Sequence, residues 1–291
     1  MAQFVFHVVV LSSIYCLLGA GYVLLYRASR IVNLAYGEFV MLGGYFAFTL
    51  ATLMPGQASL AILGAFIISF LTGGIIYWVL MRPMIGQPIG SAIIVTIGLS
   101  IAFRGIATLI WGSTPRYLGP VLNIENEPHF FPANIVLSTL DLATIATAIA
   151  FLGGMILFLK YVRVGVHMRA VAENPLLAAQ RGINIFWVFI LVWGISLVGA
   201  TAAGILYGSN MKLDPEIGLI GLKALAVPII GGMDSLFGLI PAALLVALFE
   251  IGVMKYLDPH WSEVIPLILL LFVLLLRPWG LFGIKEEIER V

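Results

Sequence analysis

The chain has 291 residues, of which 62% are hydrophobic and only 10% are charged. Soluble domains carry about 25% charged residues, so this composition excludes an ordinary soluble domain. The formal net charge of +1 gives no bulk attraction for nucleic acid. The single cysteine, Cys16, cannot form an intrachain disulfide.

Apolar runs long enough to cross a membrane recur along the whole chain. A helix needs about 20 apolar residues to cross a hydrocarbon layer of about 30 Å, whereas a β-barrel strand would show about 10 alternating residues. We therefore predict an all-α, polytopic transmembrane helical bundle that forms one domain over 1–291. About eight spans are expected, at residues 4–26, 31–53, 58–81, 91–111, 135–159, 185–208, 236–254 and 263–281. Residues 218–231 are too short for a crossing and predict a half-span or re-entrant segment.

Basic residues orient the chain through the positive-inside rule. No Lys or Arg precedes Arg27, so the first apolar run lacks the charged start of a signal peptide and is expected to remain as a helix. With the N-terminus outside and two passes within 218–254, three basic residues lie outside: Arg116, Lys212 and Lys255. Ten lie inside: Arg27, Arg30, Arg82, Lys160, Arg163, Arg169, Arg181, Arg277, Lys285 and Arg290. A single pass within 218–254 would weaken this bias, so the C-terminus is expected in the cytoplasm.

The second span contains the stretch "NLAYGEFVMLGG", which keeps a carboxylate, Glu38, inside an apolar run. Glu38 lies about eight residues, or roughly 12 Å, past Arg30, where an unpaired charge is costly. One helical face carries small residues and predicts close contact with a helix of this chain or of a partner: Asn33, Gly37, Val40, Gly44 and Ala47. A semi-polar stripe runs beside it: Glu38, Met41, Tyr45, Thr49 and Thr52. The stripe predicts either a polar path or a hydrogen bond that joins two helices.

Further polar residues lie in the other apolar segments. Arg104 shares a face with Thr96 and Ser100, and is expected to line a path, to pair with Glu38, or to extend toward the outer surface. The candidate substrate path therefore comprises Asn33, Glu38, Met41, Tyr45, Thr96 and Ser100. Two other charges, Lys223 and Glu250, could form a structural ion pair or line a conduit. Asp234, in "GGMDSLFG", could cap the helix that follows it or lie in a plain inner loop.

The most polar inner segment is residues 160–184. Asn174 followed by Pro175 predicts a helix start, and Gly182 predicts its end. The resulting helix, Pro175–Arg181, presents Leu176 and Leu177 and is too short to be stable alone in water. It must therefore pack against the membrane surface or in a groove of a partner.

Several stretches together resemble the permease subunits of branched-chain amino-acid ABC importers of the LivH/LivM type, and are closer to the LivH half. The matching stretches occur in the expected order over most of the chain. They are "NLAYGEFVMLGGY" at 33–45, "RP" at 82–83, "TIGLSIAFR" at 96–104, "RAVAENPLLAAQRGIN" at 169–184, "GLKALAVPIIGGMDSLFG" at 221–238 and "RPWGLFG" at 277–283.

The resemblance implies a transport subunit of the bacterial inner membrane that is not itself an enzyme. Its implied partners are a second permease in a heterodimer, two cytoplasmic ATPases and a periplasmic substrate-binding protein, besides membrane lipid. Residues 160–184 would be the cytoplasmic coupling loop, which docks in a cleft of the ATPase through Arg169, Glu173, Asn174, Pro175, Leu176, Leu177 and Gly182. ATP and magnesium would then bind the partner ATPases, and no cofactor or metal is expected on this chain.

The sequence patterns agree with a subunit that catalyses no reaction of its own. The sequence contains no G-x-x-x-x-G-K-[ST] phosphate loop, no H-E-x-x-H and no nucleophile elbow. Two other functions stay open at this point. A permease of the same family could carry urea, short amides or aromatic amino acids, and a proton-coupled secondary transporter could use Glu38 as its proton carrier.

Overall fold

Helices form most of the chain in a computed structural model, which describes residues 1–124, 126–131 and 135–283. The helices are α1 (Ala2–Ser29), α2 (Tyr36–Leu53), α3 (Ala58–Ile76), α4 (Ile89–Trp111), α5 (Leu118–Val121), α6 (Thr139–Tyr161), α7 (Arg163–Glu173), α8 (Pro175–Gln180), α9 (Ile185–Asn210), α10 (Leu219–Gly231), α11 (Leu236–Tyr256), α12 (Pro259–Ser262) and α13 (Ile265–Leu276). A π-helical segment, Tyr77–Met81, and a 3-10 turn, Arg82–Met84, extend α3, and a second 3-10 turn, Pro215–Gly218, precedes α10.

The helical bundle expected from the sequence is confirmed. Within the described residues, six helical segments are long and apolar enough to cross a membrane: 2–29, 58–84, 90–111, 139–161, 185–210 and 236–256. The expected spans at 31–53 and 263–281 contain the shorter helices α2, of 18 residues, and α13, of 12 residues. The total of eight crossings stays a prediction. The inner-side residues Lys285 and Arg290 lie outside the described residues.

A β-hairpin corrects the boundary expected at residue 135. Strands β1 (Pro128–Phe131) and β2 (Ile135–Ser138) pair antiparallel, so α6 begins only at Thr139. The Ser138 hydroxyl accepts a hydrogen bond from the Asp141 N–H, and the Asp141 carboxylate accepts one from the Ser138 N–H. This capping box fixes the helix start. The apolar letters of β2 made the strand indistinguishable from the helix by hydropathy.

Helix α1 forms the centre of the bundle, since 83% of its most apolar 18-residue window is buried. Side-chain hydrogen bonds to backbone carbonyls tie it to its neighbours. The Tyr22 hydroxyl donates to the Gly221 carbonyl of α10 at 3.0 Å, and the Ser196 hydroxyl of α9 donates to the Gly21 carbonyl at 3.0 Å. The Tyr36 hydroxyl of α2 donates to the Ser196 carbonyl at 3.1 Å. These bonds satisfy buried polar groups and so fix the relative positions of four helices.

Helix α10 has only 13 residues, or about 20 Å at 1.5 Å per residue, and cannot cross a bilayer. Its C-terminal end is fixed through backbone contacts. Gly231 packs on Gly238 of α11, where an added Cβ would lie 2.5 Å from the Gly238 carbonyl oxygen. The Leu281 and Phe282 N–H groups donate to the carbonyls of Ile230 and Gly231 at 2.8 and 3.1 Å. The expected half-span is thus a short helix clamped between α11 and the segment after α13.

The expected pair of Lys223 with Glu250 is wrong. The Lys223 ammonium lies 3.7 Å from the Glu263 carboxylate, which belongs to the turn before α13. Glu250 is only 7% exposed and accepts a hydrogen bond from the Tyr15 hydroxyl at 2.5 Å. A neutral donor on the neighbouring helix α1 therefore satisfies the carboxylate that was expected to need a cation.

Asp234 does not cap α11. Ser235 is the N-cap, and its hydroxyl accepts the Gly238 N–H at 3.0 Å. The Asp234 carboxylate instead forms an ion pair at 2.9 Å with Arg30, the residue that follows α1. The turn between α10 and α11 and the C-terminal end of α1 therefore lie side by side.

Candidate functional site

The start of α2 places Glu38 inside the bundle. The Asn33 side-chain oxygen accepts a hydrogen bond from the Ala35 N–H at 2.9 Å, which turns the chain into the helix that begins at Tyr36. Glu38 then lies in the first helical turn, where the helix dipole favours a carboxylate. The Glu38 residue is only 2% exposed.

Arg104 of α4 pairs with this carboxylate. One guanidinium nitrogen, Nη2, donates to Glu38 Oε1 at 2.7 Å, so the charge on α2 is compensated across the helix contact. The Arg104 side chain is 39% exposed, and its Nε is buried without a hydrogen-bond partner among the described residues. Of the alternatives open for Arg104, the structure shows the ion pair with Glu38.

A glycine lets the beginning of α10 reach the same carboxylate. A Cβ added to Gly218 would lie 2.9 Å from Glu38 Oε1, so no larger residue fits without displacing the carboxylate. The residues before it, Asp214 and Pro215, start the 3-10 turn in the usual manner of an N-cap followed by proline. That signal was present in the sequence and could have predicted the helical start beside Glu38.

The other expected path residues lie along the contact between α2 and α4. The Thr96 hydroxyl accepts a hydrogen bond from the Leu34 N–H at 3.3 Å and donates to the Ile93 carbonyl at 2.8 Å. Ser100 lies one turn further on α4 and is half-buried. Met41 and Tyr45 are fully buried in an apolar cluster with Leu213 and Ile217 of the loop before α10, together with Leu42 and Ala107. Within this chain they are therefore packed rather than open to a channel.

Tyr45 and Thr49 of the semi-polar stripe contact Trp111 of α4, which the sequence analysis did not single out. Tyr45 stacks on Trp111 with ring centroids 4.7 Å apart, and the Trp111 indole N–H donates to the Thr49 hydroxyl at 2.8 Å. Nearby, Lys212 and Asp214 form an ion pair at 2.7 Å. The hydrogen bond and charge of Asp214 raise the pKa of the Lys212 ammonium. Tryptophan commonly occupies the membrane interface, and that signal could have singled out Trp111.

The loop between α6 and α9 forms the short helix that was expected. The Asn174 side chain accepts the Leu177 N–H at 3.0 Å, Pro175 is the first residue of α8, and Gly182 follows in a left-handed conformation with φ 79°. The helix ends at Gln180, one residue before the expected Arg181, which is its C-cap. Leu176 and Leu177 are 77% and 57% exposed. An apolar pair this exposed on a six-residue helix has no partner within the described part of the chain.

Arg169 and Glu173 belong to a different surface from Leu176 and Leu177. Both lie on α7 and line a cavity of about 330 Å³ that also contacts Arg27 and Arg30 at the C-terminal end of α1, and Asp234 in the turn between α10 and α11. The expected coupling residues are therefore divided: Leu176 and Leu177 lie on the exposed helix α8, whereas Arg169 and Glu173 line a charged cavity beside α7.

These features define a multi-pass helical membrane protein with an ion pair, Glu38 with Arg104, between two helices of its bundle and an exposed short helix in one loop. The family model for the permease component of branched-chain amino acid transport systems matches residues 4–274. The chain therefore belongs to that family.

Curated relatives cover nearly the whole chain. It is 32% identical to the high-affinity branched-chain amino acid transport system permease protein LivH of Salmonella typhimurium, over 99% of this chain and 97% of the relative. Identity is 31% to LivH of Escherichia coli K12, over the same shares. It is 28% to the permease protein BraD of Pseudomonas aeruginosa, over 96% of this chain and 94% of the relative. No solved structure matches the chain.

Proposed function

We propose that this permease imports branched-chain or related hydrophobic amino acids across the inner membrane, driven by ATP hydrolysis on separate subunits. The observation that carries the ATP-driven part is α8, whose exposed Leu176 and Leu177 need an apolar groove. The named relatives support the substrate class, since each is a branched-chain amino acid permease.

The geometry supports the placement of the partners. Helix α8 lies in the loop between α6 and α9, and α7 of the same loop contacts the inner end of α1 beside Arg27 and Arg30. The positive-inside rule puts these arginines in the cytoplasm, where an ATPase would dock. The N-terminus then lies outside, and a binding protein would deliver the amino acid at that face. A second permease subunit would complete the membrane part.

The candidate path follows the contact between α2 and α4. Helix α4 is weakly covered by this chain, since only 17% of its membrane window is buried. The Arg104 side chain, 39% exposed, lies on this helix at a depth where lipid is a poor neighbour for a guanidinium. A second permease on this face would cover Arg104 and place Glu38, Thr96 and Ser100 next to the path between the two subunits.

The docking role of α8 is tested by the double substitution Leu176→Asp with Leu177→Asp. Two carboxylates in an apolar groove would be desolvated without partners, so we expect the ATPase to be lost from the complex. The measurement is co-purification of the tagged permease with the ATPase after co-expression. ATP-dependent leucine uptake in vesicles is expected to fall to background in parallel.

Two control variants distinguish the loss of an apolar docking contact from general damage to the fold. Leu176→Met with Leu177→Met keeps volume and apolarity, and is expected to retain the ATPase. Val166→Asp with His167→Asp adds the same charges at exposed positions of α7, and is also expected to retain it. An aspartate variant of α8 that still co-purifies in full would show that the ATPase docks elsewhere.

A further inference from the structure

The cavity beside α7 is lined by residues of four helices and of the turn between α10 and α11. Its apolar wall comes from Leu24 of α1, Leu159 of α6, Met168 of α7 and Val192 of α9. Its volume of about 330 Å³ lies at the lower end of the roughly 300–1,000 Å³ that small-molecule sites occupy. The cavity is thus of a size for one small solute with an apolar part.

The charged groups of the cavity are only partly satisfied by one another. Arg30 and Asp234 form their ion pair at 2.9 Å. Arg169 has one long contact, 3.5 Å to the Lys160 carbonyl. Among the described residues, the Arg27 guanidinium and the Glu173 carboxylate form neither a hydrogen bond nor an ion pair, although both line the cavity. A cation on α1 and an anion on α7 therefore remain available to a ligand.

A zwitterionic amino acid fits this arrangement. Its carboxylate is the natural partner of a guanidinium, with which it can form two parallel hydrogen bonds. Its ammonium group matches the Glu173 carboxylate, and an apolar side chain matches the leucine, methionine and valine wall. A phospholipid headgroup fits less well, because its phosphate would match Arg27 but would be repelled by the Glu173 and Asp234 carboxylates, which also line the cavity.

We infer that this cavity binds the imported amino acid from the cytoplasmic side and thereby slows further import. A ligand that joins Arg27 of α1 to Glu173 of α7 would fix the segment that leads directly into α8. Product that accumulates in the cytoplasm would in this way restrain the coupling helix. The identity of the ligand, but not the existence of the site, rests on the proposed function.

The site is tested by equilibrium binding of radiolabelled L-leucine to the full chain in lipid nanodiscs, without the binding protein. Wild type is expected to bind leucine saturably, and Arg27→Gln to weaken binding at least tenfold, because the carboxylate loses its charged partner. Leucine methyl ester and 4-methylpentanoate, which lack the carboxylate and the ammonium group respectively, are expected to compete at least tenfold more weakly. Arg163→Gln, at an exposed position of α7 outside the cavity, is the matched control and is expected to bind as wild type.

The regulatory part is tested on the assembled complex in nanodiscs. The ATPase activity is first stimulated with binding protein that is saturated with leucine, and the leucine concentration is then raised further. The activity of each variant at high leucine is compared with the activity of the same variant at low leucine. We expect at least a fivefold loss in wild type and in Arg163→Gln, and no loss in Arg27→Gln. If the binding protein does not stimulate the ATPase at all, the proposed function is overturned. Leucine binding that depends on Arg27 would in that case still support the site.

Three results would overturn the inference. They are the absence of saturable leucine binding, equal binding by wild type and Arg27→Gln, and stronger displacement by glycerol phosphate than by unlabelled leucine. The last would assign the cavity to a lipid headgroup. A stimulated ATPase that does not respond to leucine would likewise remove the regulatory role while leaving the proposed function intact.

Discussion

Glu38→Gln is expected to destabilise the chain by about 3 kcal/mol, the lower end of the cost of breaking a buried ion pair. The neutral amide leaves the Arg104 guanidinium without its counter-charge at the 2.7 Å contact that joins α2 to α4. The lower end applies because the Arg104 side chain is 39% exposed. The measurement is the thermal denaturation midpoint of the detergent-solubilised protein, followed by size-exclusion chromatography.

The double variant Glu38→Gln with Arg104→Gln separates the pair from the individual side chains. Replacing both partners removes the unpaired charge, so we expect it to recover part of the stability lost in either single variant. Additive losses in the double variant would show that the two side chains do not interact energetically.

The same substitution distinguishes the two transport mechanisms. A proton-coupled transporter that uses Glu38 would lose its response to a pH gradient when the residue is glutamine, and would work without an ATPase. We expect that any uptake that survives in Glu38→Gln still requires ATP. Uptake by the permease alone in liposomes, driven by a pH gradient, would favour the secondary transporter.

Gly221→Ala is expected to cost about 3 kcal/mol, at the upper end of overpacking effects. A Cβ at this position of α10 would run into the backbone of Gly37 on α2, with the Gly37 nitrogen 2.6 Å away. The obstacle is main chain and cannot rotate aside, so α10 would have to move away from α2. The thermal midpoint reports the loss, and leucine uptake in vesicles is expected to fall with it because Gly218 and Glu38 would separate.

Gly154→Ala is the matched control for this substitution. It lies in α6, where an added Cβ meets no atom within 4 Å. Glycine in a helix interior costs about 1 kcal/mol relative to alanine, so this variant is expected to be as stable as wild type or more so. Equal destabilisation by both substitutions would show that the contact between α2 and α10 is not tight.

The sequence predicted the face of small residues on α2 but could not identify what packs on it. Spacing alone revealed that Gly37 and Gly44 lie on one side. The structure shows Gly37 against Gly218 and Gly221, and Gly44 near the Gly204 carbonyl of α9. Such contacts join residues more than a hundred positions apart, and no helical pattern encodes which segments meet.

Charge pairing was predictable only where the alternatives were few. Arg104 and Glu38 are isolated charges within neighbouring apolar spans, so their pairing was one of three readings. Lys223 contacts Glu263, whereas Glu250 accepts a hydrogen bond from the neutral Tyr15 hydroxyl, a partner that an argument from charges alone does not consider. The roles of the six candidate path residues and of the coupling residues stay predictions.

The length of α10 has a mechanical consequence. One end of this helix abuts the Glu38 carboxylate through Gly218, and the turn at its other end is held against Arg30, beside the cavity and α7. Pro228 lies inside this helix and cannot donate a hydrogen bond to the carbonyl four residues before it, so α10 has one weak point between its two ends. A displacement of the turn at residues 232–235 would therefore move Gly218 beside Glu38 only as far as α10 does not bend at Pro228.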